Sequence, residues 1–116
     1  MKDQSQNAIV NLSFQFALNI VGYAEILDEK KKWVVSKQVL KSGTSIGANI
    51  REAQGAESKN DFIHKLKISY KEAEETQYWL DICQKSETYP DPGNLIDEII
   101  VIKKILGKII STLKNR

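Results

Sequence analysis

The stretch LKSGTSIGANIREAQGAES, from Leu40 to Ser58, gathers the residue types in this chain that most readily do chemistry. Ser42 and Ser45 could act as nucleophiles, glycines at 43, 47 and 55 could admit a ligand close to the backbone, and Asn49 and Arg51 could hold an anion. A serine nucleophile needs a base within hydrogen-bond reach and a third group to orient that base. The one histidine, His64, has no evident orienting partner and is expected to be a solvated or hydrogen-bonded surface residue. A phosphate loop needs GxxxxGK[ST] after a strand. SGTSIGANIRE has neither that spacing nor a preceding strand. Cys83 is the lone cysteine, so no intrachain disulfide can form, and it is expected as a buried apolar filler. No cysteine pair, HExxH or Glu-x-x-His spells a metal site. The expectation is a non-enzymatic protein with no catalytic residues, no cofactor and no metal.

A packing role fits the same stretch better. Ser42, Gly43, Ser45, Gly47 and Ala48 are small around most of a helix circumference and would let a second helix approach closely. Asn49 and Arg51 would then need polar partners near that contact. Glu72 and Glu75 are the candidates, and a network of Asn49, Arg51, Glu72 and Glu75 would set helix register.

The elements that must position these residues read as four helices. From Ser5 to Glu29, Ile9, Leu12, Phe16, Ile20, Tyr23 and Leu27 form one stripe. Val10, Phe14, Leu18 and Val21 lie on the opposite side, so this helix is apolar nearly all round. Its second face is expected to be covered by another subunit, against the plainer alternative of scattered exposed apolar residues. From Trp33 to Gln54 the stripe is Val35, Val39, Ile46, Ile50 and Ala53, with Ser42, Gly43 and Asn49 at its margins. Gly55 is expected as a left-handed C-cap, with Ser58 as the next N-cap and Asp61 completing a capping box. From Lys59 to Lys85 the stripe is Phe62, Leu66, Tyr70, Ala73, Gln77 and Leu80, flanked by Ile63, Ser69, Thr76 and Cys83. SETYPDPGN must be a loop, because Pro90, Pro92 and Gly93 cannot continue a helix. From Asn94 to Lys114 the stripe is Leu95, Ile99, Ile102, Leu106, Ile109 and Leu113, with Lys103, Lys104 and Lys108 facing away. Short connections predict antiparallel neighbours, hence an all-α, antiparallel up-down-up-down four-helix bundle. Its 116 residues suit a single domain.

The N-terminus MKDQSQNAIV does not resemble a signal peptide, and no apolar run reaches the roughly 18 residues of a membrane span. A cytoplasmic setting is expected, with no membrane and no small-molecule substrate. The net charge of +2 is unevenly spread. Residues 30–51 hold six basic residues and no acid, residues 52–98 hold eleven acids against five bases, and residues 99–116 hold five bases and no acid. Such blocks fit a nucleic-acid surface, or basic and acidic helices lying side by side within or between subunits.

The motif SGTSIGANIREAQGAESKNDFIHKLKISYKEAEETQYWLDI, from Ser42 to Ile82, resembles the signature of the bacterial four-helix bundle family associated with intervening sequences of 23S ribosomal RNA genes (S23 ribosomal protein-like). The matching positions are Ser45, Ile46, Asn49, Ile50, Glu52, Phe62, Glu72, Glu75 and Trp79. The chain departs from the pattern at Arg51, Glu52 and Ala53, where many members have Ala-Glu-Gly. It departs again at Lys41, Ser42 and Gly43, where many carry a basic pair. The resemblance implies a small cytoplasmic all-α protein, of a kind that in some members assembles as a ring of five. It also implies similarity to the accessory variability protein of diversity-generating retroelements, a basic pentamer that binds nucleic acid and a reverse transcriptase.

The functional expectation is therefore a homo-oligomer, a pentamer by that resemblance, with its interface at Val10, Phe14, Leu18 and Val21. It would bind RNA or another nucleic acid through Lys30, Lys31, Lys32, Lys37, Lys41 and Arg51, with Lys103, Lys104 and Lys108 as a second group. The alternatives are that these lysines are an ordinary solvated face, and that the chain is a protein–protein interaction scaffold in which the acidic stretch matters more.

Overall fold

The computed structural model describes residues 4–116. The described residues are all-α, with four helices and no strand: α1 Gln4–Glu29, α2 Trp33–Ala53, α3 Lys59–Lys85 and α4 Leu95–Lys114. These bounds follow the three-and-four spacing of the apolar residues to within one residue at each end. The body measures 47 × 20 × 19 Å, and a 26-residue helix at about 1.5 Å per residue accounts for most of its length.

Each helix packs on two others. α1 contacts α2 and α4, and α3 contacts α2 and α4. The contacts between neighbours run in opposite chain sense. Ser36 Oγ donates to the Ala24 carbonyl at 3.0 Å, Gly43 lies against Ile20, and Gly47 lies against Ser13. Ser69 Oγ donates to the Ile46 carbonyl at 2.8 Å, while Lys65 pairs with Glu52. Lys103 donates to Gln77, and Gly107 sits against Tyr70. Asn19 donates to Glu98 at 3.0 Å, and the Tyr23 hydroxyl donates to the Pro90 carbonyl at 2.6 Å.

The core is aliphatic, built on Ile9, Phe16, Ile20, Leu27, Val39, Ile46, Ile50, Leu66, Leu80, Ile99, Ile102 and Leu106. Fully burying each such side chain is worth roughly 1.5–3 kcal/mol. Small hydroxyl residues complete it. Ser13, Ser36, Ser42, Ser69 and Thr76 are buried, each donating to a backbone carbonyl, so none of these hydroxyls is left without a partner. Two stripe expectations shift accordingly. Leu12 is 40% exposed and Ser13 takes the buried position beside Gly47. In α3 the buried line is Ile63, Leu66, Ser69, Ala73, Thr76, Leu80 and Cys83, leaving Phe62, Tyr70 and Gln77 half-buried at its edge. Apolar size misplaced the stripe, because a hydroxyl bonded to a carbonyl buries as readily as a methyl group.

The connections differ from expectation too. Gly55 is not left-handed; α2 ends through a tight turn in which the Gln54, Gly55 and Ala56 amides donate to carbonyls three residues back. The left-handed positions are Lys31 (φ 62°) and Gly93 (φ 61°). Around Lys31 the amide of Lys31 donates to Asp28 and that of Lys32 to Leu27, which is a Schellman closure with lysine in the place usually held by glycine. Ser58 caps α3 as expected, its Oγ accepting from the Asp61 amide at 3.0 Å. The reciprocal bond reaches one residue further back than the capping box requires, since Asp61 accepts from the Glu57 amide.

By length and composition Ala8–Glu29 is apolar enough to cross a membrane, contrary to the expectation that no run qualifies. In this fold Ile9, Phe16, Ile20, Tyr23 and Leu27 face the core instead.

Candidate functional site

The glycines of α2 have a geometric reason. A Cβ on Gly43 would meet Ile20 Cγ2 at 2.8 Å, and one on Gly47 would meet the Ser13 carbonyl oxygen at 3.3 Å. The glycines let α1 and α2 approach backbone to backbone. Ser42 and Ser45 spend their hydroxyls on the carbonyls of Gln38 and Lys41 four residues back, at 2.9 and 2.7 Å. His64 is exposed on α3, and Cys83 is buried. Burial pushes the Cys83 thiol up, with a contact from Tyr23 acting the other way. Burial also drives the Tyr23 hydroxyl well above its ordinary range, and Cys83 adds to the shift. Among the described residues no group of three or more His, Cys, Asp or Glu lies close enough to hold a metal ion.

The expected polar network does not assemble as one unit. Among the described residues no hydrogen bond joins Asn49, Arg51, Glu72 and Glu75. Asn49 Nδ2 donates to the Ser45 carbonyl at 2.9 Å on its own helix. Arg51 is exposed, with its guanidinium 5.5 Å from the centroid of the Phe14 ring. Glu75 accepts from Trp79 Nε1 at 3.2 Å. Glu72 is half-buried, and its carboxyl is raised above the usual glutamate value by burial, then by Glu75, with Lys41 opposing. Arg51 lies on the α1 side of α2, away from the two glutamates, and an asparagine amide reaches its own i−4 carbonyl more cheaply than a partner across a helix gap.

The outer side of α1 is apolar and open. Phe14, Leu18 and Val21 are 47%, 51% and 40% exposed, and Val10 is half-buried. Leu40 of α2 is exposed as well. Between the two helices a depression of about 370 Å³ is lined by Phe14, Ala17, Thr44, Ala48 and Arg51, among others.

The basic residues fall into separate groups. Lys30, Lys31 and Lys32 occupy the α1–α2 turn, where Lys32 Nζ lies 4.7 Å from the Tyr89 ring centroid. Lys37 and Lys41 are exposed on α2, and Lys104 and Lys108 on α4. Lys103, expected to face away from the fold, is half-buried; it donates to Gln77 Oε1 at 3.1 Å and lies 5.8 Å from the Tyr70 ring centroid. A further basic group was missed. Lys67 and Lys71 of α3 and Lys114 of α4 line a groove of about 500 Å³ over Tyr70, Gly107 and Ile110. The signal was present in the spacing: Lys67, Tyr70, Lys71 and Glu74 recur at three- and four-residue steps, as do Gly107, Ile110 and Lys114.

No curated protein matches this chain. Among solved structures it is similar to a crystal structure of a protein with unknown function from the S23 ribosomal protein family of Bacteroides thetaiotaomicron. The two are 43% identical with a TM-score of 0.86, over 93% of this chain and 99% of that one. The model of the 23S rRNA-intervening sequence protein family matches residues 5–108, from the first turn of α1 into α4. On that match the chain belongs to the 23S rRNA-intervening sequence protein family.

Proposed function

We propose that this chain is an antiparallel up-down-up-down bundle that assembles with copies of itself and binds RNA or another nucleic acid without catalysing a reaction. The opposite chain sense of the neighbouring helix contacts supports the antiparallel reading. The observation that carries the assembly is the exposed apolar line Phe14, Leu18 and Val21 on a helix whose other face already fills the core. A ring of five in the cytoplasm is the form proposed, on the resemblance noted from the sequence. Repetition around a ring would multiply the weak basic patches at Lys30–Lys32, Lys37, Lys41 and Lys104.

Light scattering on the purified chain tests the assembly. A mass near five times the 13.2 kDa chain is expected, and Phe14→Glu with Leu18→Glu should reduce it to one chain while leaving helicity intact. A folded wild-type protein that scatters as a single chain at high concentration would refute the assembly. Filter retention of structured RNA at low and high salt tests the binding, and a steep loss with salt is expected. The second reading, a protein–protein scaffold, draws on the paired carboxylates Glu72 and Glu75 beside the exposed Tyr78. Absence of RNA retention at low salt would favour it.

A further inference from the structure

We infer that the groove between α3 and α4 is a nucleotide-unit binding site, with a base against Tyr70 and its phosphates among Lys67, Lys71 and Lys114. The inference rests on the nucleic-acid reading above and gives it a place that the basic-patch argument did not.

Three features of the groove point the same way. Its floor is aromatic and apolar: Tyr70 is half-buried there, beside Ile110, and Gly107 lies at the ring's edge, 3.7 Å from Cε2 to an added Cβ. Its walls are cationic, with Lys67 and Lys71 on one side, Lys114 on the other, and Glu74 the carboxylate among the lining residues. Its volume, about 500 Å³, lies in the range of small-ligand sites, roughly 300–1,000 Å³. Lys103, held by Gln77, adds a cation beside the ring.

A bare phosphate would make no use of the aromatic floor. A fatty chain would make use of one lysine and leave the others unpaired along its length. A base joined to phosphate uses both, because stacking on an aromatic ring tolerates any base while lysines track the charge of the backbone. Lysine is also a mobile point charge, unlike the fixed fork of arginine, so it follows a flexible strand without fixing sequence. The ligand class is therefore a nucleotide unit, whether free or within a single strand.

The test measures fluorescence anisotropy of a labelled oligoadenylate at low salt, and calorimetric titration with adenosine monophosphate, on the full chain. The triple variant Lys67→Gln, Lys71→Gln, Lys114→Gln alters groove-lining lysines and should weaken oligoadenylate binding more than about tenfold. Tyr70→Leu should weaken it about tenfold and Tyr70→Phe should leave it near wild type. Circular dichroism checks that each variant is folded, and Lys85→Gln, at the exposed far end of α3, is the control away from the groove. Oligoadenylate bound equally by wild type and groove variants would overturn the inference and leave the nucleic-acid reading standing. Monophosphate bound by wild type and lost in the groove variants, with no oligoadenylate binding, would support the site and refute its use for a strand. No binding of either probe would overturn the inference, and retention of structured RNA at low salt then decides whether the nucleic-acid reading falls with it.

Discussion

Two helix pairs in this bundle each place a glycine opposite a bulky side chain, with opposite results. Between α1 and α2, Gly43 faces Ile20 so closely that an added Cβ would sit 2.8 Å from its methyl group. The pair closes at that level, one turn from the depression beside Gly47, and buried serines seal the contact by donating to carbonyls. Between α3 and α4, Gly107 faces Tyr70, and an added Cβ would sit 3.7 Å from the ring. That pair stays open as a groove with lysine walls. A branched aliphatic chain fills the space a glycine leaves. A flat ring at the edge of the core lies beside that space and leaves room for a ligand. One residue type thus makes a seam in one place and a site in the other, and its partner decides which.

The largest expected effect tests that contrast directly. Gly43→Ala gains up to about 1 kcal/mol of helix propensity but overpacks a stiff, fully buried Ile20, at a cost of about 1–3 kcal/mol. A net loss of up to about 2 kcal/mol is expected. Gly107→Ala takes the same propensity gain against ordinary van der Waals contact and should stabilise the fold by about 0.5–1 kcal/mol. Urea denaturation of both variants measures the pair. Equal shifts of the same sign would mean that the two seams do not differ as described.

The contrast shows how much the sequence could carry. Helix positions were legible because apolar residues recur at three and four over about twenty residues in each segment, and Pro90, Pro92 and Gly93 break the pattern once. The small-residue character of α2 was also legible as packing, since glycine and serine in mid-helix make poor chemistry without a base. What was not legible depended on where helices face each other. Ser13, Ser69 and Thr76 are core residues only because a carbonyl lies within reach. Arg51 was assigned to a carboxylate on α3 and lies instead over Phe14 on α1, a choice between neighbours that periodicity does not encode. Lys67, Lys71 and Lys114 were hidden because they come from two segments far apart in the chain, one of them net acidic.

The two connections sharpen the comparison at a smaller scale. The α3–α4 loop puts Gly93 in the left-handed region, where the Asp91 side chain accepts from its amide. The α1–α2 turn puts Lys31 there. Left-handed backbone costs a non-glycine residue about 1–2 kcal/mol, and glycine gives back part of that gain through the greater freedom of its unfolded chain. Gly93→Ala should therefore cost about 1 kcal/mol, with nothing within 4 Å of the new methyl group to add to the loss. Lys31→Gly should stabilise by about 0.5–1 kcal/mol. Thermal melts of the two variants should move in opposite directions, and a destabilised Lys31→Gly would show that the lysine side chain holds the turn.

The smallest effect concerns pH on the α2–α3 flank, where seam and charge meet. The Glu72 carboxyl is raised by burial and by Glu75, so the folded chain holds this proton more tightly than the unfolded one. Stability from this group is then present at pH below its ordinary glutamate value of about 4.3 only in the sense that both states are protonated and no penalty is felt. As pH rises from there through the raised folded value, the unfolded chain releases the proton first, and folding becomes less favourable. Above that window the penalty is constant. Much of it is screened by solvent, since Glu72 is only half-buried and Lys41 opposes the shift. Glu72→Gln removes the titration without changing shape. Its melting temperature should exceed that of the wild type at neutral pH and converge with it as the pH falls through the window. A variant that instead loses stability at neutral pH would mean that the ionised carboxylate is held by Lys41 more strongly than burial opposes it.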